Sequence, residues 1–327
     1  EDSDFSVGSD ARSVSGWGRM NEYLITYKEP GDETSQWYSE IDITDGYVSF
    51  PTYALNDEFG CVAPRTVHPA QNGLLALSDK GVVWTWPSLV KGQANCKIIS
   101  HNINGKNGRA KGILDNPLSD LKNAHAEMHL NKYLLFIKDK TWVLDLDYSD
   151  LANNLYCWYP YTGIYSKVGS FHLKEGDLYL TDSTAGLLYK QRPEGDNTPW
   201  DDDGEAIDAW WTTPLMFLGG RNYIKKFERI STTFRVSYGT EHILSLISDL
   251  GVEDIPLRQE AGIFDARYFN AQFFNAGVYN RDYPTTQSEK IGYKGEYLQF
   301  KIRNNMYNRG MTLLACSVTF SLRKIVK

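Results

Sequence analysis

The chain has little of what catalytic and metal-binding proteins usually display. Its four cysteines (Cys61, Cys96, Cys157, Cys316) are scattered over 327 residues without ligand-like spacing. Neither a zinc site nor a disulfide framework is expected, and buried free thiols from a reducing compartment fit better. Gly-x-Ser-x-Gly is absent and no cysteine has a recognisable base near it in sequence, which disfavours a nucleophilic hydrolase. No apolar run reaches membrane-spanning length and nothing near the start resembles a signal peptide, so a soluble protein is expected. Basic residues are outnumbered, 34 against 41 acidic, giving a formal net charge of -7 and a pI of about 5.5. That balance argues against a protein that grips nucleic acid through its phosphates, but leaves room for a channel through which DNA slides without sticking. The sequence begins at Glu1 rather than Met, as expected of a chain trimmed at its start or cut from a longer precursor.

Aromatics, by contrast, are plentiful: 9 Trp, 21 Tyr and 14 Phe. With few helix-periodic stretches, this favours β structure, and the length favours two domains. The clearest local signal is His129 to Asp147. Two short apolar runs, Tyr133 to Ile137 and Thr141 to Leu146, flank a polar turn at Lys138 and Asp139, the pattern of a tight hairpin. A hairpin needs neighbours to bury its apolar face, and similar openings recur at Asn21, Asn72, Asn131 and Gly176. Each is a turn residue followed by an apolar run. A spacing near fifty residues is close to one four-stranded propeller blade, so residues 1–195 are read as about four propeller blades, with the first fourteen residues as an edge strand or frayed end.

Several motifs invite chemistry and are read more plainly. Asp79-x-Gly81-x-x-Trp84 resembles the Asp-box turn of sialidase-type propellers, although Leu77 stands where Ser or Thr is expected; such a turn stabilises the fold. Gly105 to Gly112 is basic and glycine-rich but lacks the spacing and hydroxyl of a phosphate loop. Asn116 to Met128 reads as the one good helix, capped at Asp115 or Asn116, and carries His125-Ala-Glu-Met-His129. There Glu127 is displaced from the zinc-protease position, and no Pro-Cys-x-x-Cys follows as in zinc deaminases. Structural histidines are therefore expected. Asp145-x-Asp147-x-x-Asp150 lacks the glycine and distal glutamate of a calcium loop. No metal, cofactor or catalytic residue is assigned.

The acidic, breaker-rich run Pro193 to Gly204 reads as a linker or turn between domains. Beyond it, longer alternating strands are expected at Ala206 to Phe217, Lys225 to Tyr238, Ile243 to Ile247, Gly295 to Arg303 and Thr312 to Arg323, so residues 196–327 are read as a β-sandwich. Within it, 264–280 repeats with period five. Its aromatics, Phe264, Tyr268, Phe269, Phe273, Phe274 and Tyr279, need covering and are taken as an oligomer interface. The fold class is thus all-β, propeller-type blades followed by a β-sandwich.

Three stretches carry a family likeness: Gly60-Cys-Val-Ala-Pro-Arg-Thr-Val67 leading to Asn72-Gly-Leu-Leu-Ala-Leu-Ser-Asp-Lys-Gly81; Gly176-Asp-Leu-Tyr-Leu-Thr-Asp-Ser-Thr-Ala-Gly-Leu-Leu-Tyr189; and Asp202-Asp-Gly-Glu-Ala-Ile-Asp-Ala-Trp-Trp-Thr-Thr-Pro214 with Lys225-Lys-Phe-Glu-Arg229. Together they resemble the tail nozzle or hub (stabilisation) proteins of short-tailed bacteriophages. The resemblance implies a structural, non-enzymatic virion protein, assembled in the host cytoplasm into a ring, commonly a hexamer, below the portal and adaptor. Its lumen would continue the DNA ejection channel without sequence-specific binding, and tail fibres would be partners. About four blades is fewer than such nozzles usually have, so further blades are expected upstream of Glu1 or in another polypeptide. The alternative is a carbohydrate-binding or glycan-cleaving propeller, with Trp84, Trp86, Trp142, Trp158 and Tyr161 as a sugar platform and Asp79, Asp145 and Asp182 as carboxylates.

Overall fold

The computed structural model describes residues 7–9, 11–31, 33–44, 47–90, 93–105, 111–191, 201–221, 223–236, 241–258, 285–307 and 310–325. The chain divides into two compact units, Glu1–Gly195 and Asp196–Lys327. Both are built almost wholly from antiparallel strands.

In unit 1 the first blade runs through β1 (Val14–Met20), β2 (Tyr23–Lys28) and β3 (Gln36–Ser39). A small hairpin follows, β4 (Asp42–Thr44) and β5 (Tyr47–Ser49), before β6 (Thr52–Asn56) closes the sheet in the order β1-β2-β3-β6. The second blade is β7 (His68–Ala70), β8 (Gly73–Ser78), β9 (Gly81–Pro87) and β10 (Ala94–Ile98). A five-residue helix, α1 (Leu118–Lys122), precedes the third: β11 (His125–His129), β12 (Lys132–Ile137), β13 (Lys140–Asp145) and β14 (Trp158–Tyr161). The fourth has three strands, β15 (Val168–Lys174), β16 (Asp177–Asp182) and β17 (Leu188–Lys190).

Each meander starts with the same device. Met20 pairs with Tyr23, Ala70 with Gly73, His129 with Lys132 and Lys174 with Asp177, so four two-residue turns join first strand to second. Positive φ at Asn21, Gln71, Leu130, Asn131, Glu175 and Gly176 gives these turns the twist that matches the strands. The recurring Asn21, Asn72, Asn131 and Gly176 mark these turns. The first strands adjoin in succession, β1 against β7, β7 against β11 and β11 against β15. That is how blades stand around an axis, innermost strands together.

Between blades, the middle strands bury both faces. Leu74 to Leu77, Val82 to Trp84 and Tyr133 to Ile137 are all buried, as expected of strands covered by neighbours on either side. Leu75, Leu77, Trp84, Tyr133, Leu135 and Leu144 share one cluster between the second and third blades. Met20, Ile25, Tyr27, Leu74 and Ala76 fill the gap between first and second, and Phe136, Val143, Phe171 and Leu180 the gap between third and fourth. Gly60 sits where the chain crosses into the second blade. A Cβ there would lie 2.6 Å from the Lys28 carbonyl oxygen and 2.7 Å from the Pro30 nitrogen.

Unit 2 opens with a two-strand ribbon, β18 (Asp201–Asp202) and β19 (Glu205–Ala206), turning through Asp203 and Gly204. The sandwich is made of β20 (Ala209–Thr212), β21 (Tyr223–Val236), β22 (Glu241–Ser248), β23 (Gly251–Arg258), β24 (Thr285–Lys290), β25 (Lys294–Gly295), β26 (Gln299–Asn304) and β27 (Met311–Ile325). One sheet has the order β20-β26-β22-β23; in the other, β21 is flanked by β24, β25 and β27. Phe227, Ile230 and Phe234 of β21 meet Leu244, Leu246, Phe300 and Ile302 of the facing sheet. Alternation puts Ile230 and Phe234 on the inner face, and the register shift between Phe227 and Arg229 brings Phe227, three residues before Ile230, to the same face. Lys225 is fully buried, its ammonium donating to the carbonyls of Gly220 and Glu296, the latter at 2.6 Å.

Two expectations change. The helix stops at Lys122, and His125 to His129 is a strand, paired along its length with β12. The apolar spacing of Leu118, Leu121, His125 and Met128 suits a helix, but the pairing of Ala126 with Leu135 and Met128 with Tyr133 outweighs local propensity. Val14, expected to end an edge strand or frayed end, instead begins β1, the innermost strand of the first blade.

Candidate functional site

Four of the six histidines (His68, His125, His129, His172) lie on the innermost strands β7, β11 and β15. His68 Nδ1 is 3.8 Å from Glu127 Oε1, and its Nε2 is 2.9 Å from the Ala126 carbonyl, tying the second blade to the third. Burial pushes the His68 pKa below its ordinary value, opposed by the charge of Glu127. The imidazole is therefore neutral near pH 7 and donates to backbone. His125 is buried against Phe136 and Phe171, with ring centroids at 5.0 and 5.3 Å. Its Nε2 has no partner among the described residues, and burial, with Arg65 nearby, pushes its pKa down to about 4. His129 Nε2 lies 3.1 Å from the Gly176 carbonyl. These three act as struts between blades.

His172 differs. Its Nε2 is 2.8 Å from Ser170 Oγ, which also meets Thr181 Oγ1 at 2.9 Å. The two residues share one side of β15 because they are two apart. A serine beside a histidine is the start of a nucleophile and base pair, but among the described residues no carboxylate orients the imidazole. Among the described residues, no group of three or more His, Cys, Asp or Glu side chains is placed to hold a metal.

The tryptophans of the sugar-platform reading are dispersed through the packing. Trp84 and Trp86 stack at 4.4 Å, with Lys97 Nζ 5.4 and 5.3 Å from their rings. That ammonium also donates to the Leu151 carbonyl and to Asn154 Oδ1, fastening β10 to the third blade. Trp142 is buried beneath Lys140. Trp158 donates its indole N–H to the Ile99 carbonyl at 2.9 Å and meets Tyr133 edge-on. Tyr161 packs between Tyr159 and Tyr165.

The carboxylates serve their own turns and strands. Asp79 accepts from Ser78 Oγ at 2.7 Å in the two-residue loop before Gly81. Asp182 accepts from Thr184 N, Thr184 Oγ1 and Ala185 N, and these bonds lower its pKa. Asp145 is buried and accepts from Asp147 N and Tyr159 Oη. Asp147 accepts from Asn131 and Asp150 from Asn153. Of Gly105 to Gly112, only the ends are described; Gly112 N donates to Asp115 Oδ2 at 2.8 Å. Phe264, Tyr268, Phe269, Phe273, Phe274 and Tyr279 lie outside the described residues, as does Pro193 to Trp200 of the predicted linker.

One cleft escaped the sequence reading. It occupies about 270 Å³ beside the β1–β2 turn and is lined by Met20 to Tyr23, Ile25, Tyr38, Leu55, Pro87 to Val90 and Gln93. Register assembles it: Tyr38 is paired with Ile25 on one side and Tyr53 on the other. Tyr38 stacks on Tyr53 with centroids 5.1 Å apart and planes 26° apart, and Tyr23 meets it edge-on at 5.5 Å. Cross-strand positions are the only link between these three rings, so no local spacing could have announced them.

Propeller-type blades followed by a β-sandwich define the class of this protein. No family profile matches the chain, and no curated protein matches it. Among solved structures it is similar to an exo-β-1,3-galactanase from Phanerochaete chrysosporium, at 9% identity over 90% of this chain and 79% of the other, with a TM-score of 0.20. It is also similar to a GH32 β-fructofuranosidase from Bombyx mori, at 9% identity over 97% and 92%, with a TM-score of 0.23. Likeness at these scores carries no argument about function.

Proposed function

We propose that this chain is a structural subunit of the tail nozzle or hub of a short-tailed bacteriophage, closing a ring with copies of itself around the DNA ejection path. The observation that carries the reading is the succession of blades and sandwich in one chain, with the three resembling stretches falling on its framework. Gly60 to Gly81 forms the crossing into the second blade and its first hairpin; Gly176 to Tyr189 covers β16 and most of β17 in the fourth; Asp202 to Arg229 opens the sandwich.

Surface chemistry supports association. Ile41, Ile43, Phe50 and Tyr53 are exposed on and around the β4–β5 hairpin, and Trp210 and Trp211 are about half exposed on the edge strand β20. Exposed apolar groups in this density are usual where another protein docks. An excess of acidic over basic residues lets DNA phosphates pass without sticking. The histidine struts, stacked tryptophans and turn carboxylates serve packing, and no reaction is assigned to them.

Native mass measurement and imaging of purified phage test the proposal. The expected result is a closed ring of about six copies, and the same chain located below the portal and adaptor in particles. A protein that stays monomeric at every concentration and never co-purifies with virions would overturn it.

A further inference from the structure

We propose that the outer face of the β21 sheet in unit 2 is a contact surface for the phosphate backbone of double-stranded DNA. The choice of DNA as occupant rests on the proposed function, whereas the anion-binding character of the face rests on the structure alone. Phe227, Ile230 and Phe234 point into the sandwich, so the residues between and beside them point away from it. These are Lys226, Glu228, Arg229, Ser231, Thr233 and Arg235. At about 3.3 Å per residue, Lys226 to Arg235 makes a strip about 30 Å long, close to one turn of B-DNA at about 34 Å.

Register sets like charges face to face on this strip. On β24, Lys290 is the direct partner of Arg229; on β25, Lys294 is the direct partner of Lys226. Arg229, Lys290, Lys294 and Arg235 are exposed, and Lys226 is half-buried. Like charges directly opposite weaken an antiparallel pair, and a bound polyanion relieves that repulsion. Among the described residues none of these five cations forms an ion pair. Arg229 turns to a hydroxyl instead, its Nη1 3.3 Å from Ser288 Oγ.

Around the cations the face is low and hydroxylated. Ser231 Oγ meets Ser288 Oγ at 2.8 Å and Thr233 Oγ1 meets Thr286 Oγ1 at 2.8 Å, while Ser317 and Thr319 continue these rows on β27. Short side chains let a phosphate backbone come close, and serine and threonine hydroxyls are ordinary donors to phosphate oxygens. Carboxylates are placed to the side. Glu228, at the register shift of β21, accepts from Ser321 Oγ at 2.9 Å. Glu289, paired with Ile230, is on the other side of β24. Asp249 and Glu296 lie at the Lys294 end, where their charges act on the buried Lys225. Positive character is therefore strongest around Arg229, Lys290 and Arg235, in a chain whose formal net charge is -7. A shallow cationic strip of this kind holds DNA weakly, without sequence preference, and lets the duplex slide.

The test is fluorescence anisotropy of a labelled duplex of about thirty base pairs and arbitrary sequence, titrated with the intact chain at two salt concentrations. Neutralising three or four phosphates predicts an affinity loss of about 40- to 150-fold between about 50 and 200 mM salt. Lys290→Glu puts a carboxylate opposite Arg229, so it should weaken binding about tenfold at the lower salt while raising the melting temperature slightly. Because binding and stability move in opposite directions, misfolding cannot imitate this result. Arg229→Gln combined with Lys294→Gln removes one cation from each pair and should reduce the salt slope by about two. Lys174→Glu, the same charge change at an exposed position of unit 1, should leave the affinity nearly unchanged. No binding at the lower salt, affinity unmoved by the face variants, a flat salt response, or tighter binding to phosphatidylglycerol vesicles than to the duplex would each overturn the proposal. Rings found in virions without such binding would sink this inference alone; DNA binding through this face by a chain that never enters virions would sink the proposed function alone.

Discussion

Acidification should weaken both units through histidines buried as neutral rings. His125 in unit 1 and His242 in unit 2 are nearly inaccessible, and burial holds both pKa values near 4, against 6.5 unperturbed. His125 faces Phe136, Phe171 and the charge of Arg65; His242 lies 4.1 Å from the Phe234 ring, and neither of its nitrogens has a partner among the described residues. A depressed folded pKa means that the unfolded chain binds the proton more tightly. The stability contribution is complete above pH 6.5 and is lost as pH falls from there to about 4. At pH 5 linkage gives a loss of about 2 kcal/mol per histidine, or about 1 to 2 kcal/mol once solvent screening is allowed for. Asp150, Asp182 and Asp208 have pKa values below the usual carboxylate range and contribute only at lower pH. Urea unfolding at pH 8 and pH 5, read by hydrogen exchange resolved by unit, should show both units weakened. His125→Leu should flatten the pH response of unit 1 alone, and His242→Leu that of unit 2 alone. Equal pH responses in wild type and both variants would refute the assignment.

Three other outcomes follow from the packing. Gly60→Ala should destabilise unit 1 by about 1 to 3 kcal/mol, because its Cβ would press on the Lys28 and Pro30 backbone; an unchanged melting temperature would contradict this. Lys225→Ala should cost unit 2 about 1 to 3 kcal/mol in chemical denaturation, since it leaves a cavity and strips the carbonyls of Gly220 and Glu296 of their donor. Burial pushes the thiols of Cys61, Cys96 and Cys316 up to about 11, so a thiol reagent at pH 8 should react slowly with the native protein and rapidly in denaturant; fast native labelling at Cys61 would count against its burial.

How much was readable beforehand depended on whether the signal was local. The hairpins β8–β9 and β12–β13 were legible because each is an unbroken apolar run bounded by a two-residue polar turn. The recurrence of Asn21, Asn72, Asn131 and Gly176 worked for the same reason, since the twist of a hairpin demands special residues at its turn. Innermost strands were harder. β1 mixes Gly16 and Gly18 with Trp17 and Arg19, and β11 imitates a helix face, because such strands are defined by contact with other blades rather than by periodicity. The tyrosine cleft depended on the register of three strands, which no spacing encodes. Burial of the four thiols was less legible: Cys61 is buried as expected, whereas Cys96, Cys157 and Cys316 are half-buried.

The pairing of β21 with β27 has a consequence for biosynthesis. Tyr223 meets Ile325 and Val236 meets Met311, so the two longest strands of unit 2 join across a large stretch of sequence. Blades made of neighbouring strands close small loops and are free to condense one after another as the ribosome delivers them. The sandwich has no such freedom: its second sheet waits for residues beyond 311, and closing that long loop is entropically slow. During that interval the apolar side of β21 is open to other nascent chains, which makes unit 2 the part most in need of chaperone protection.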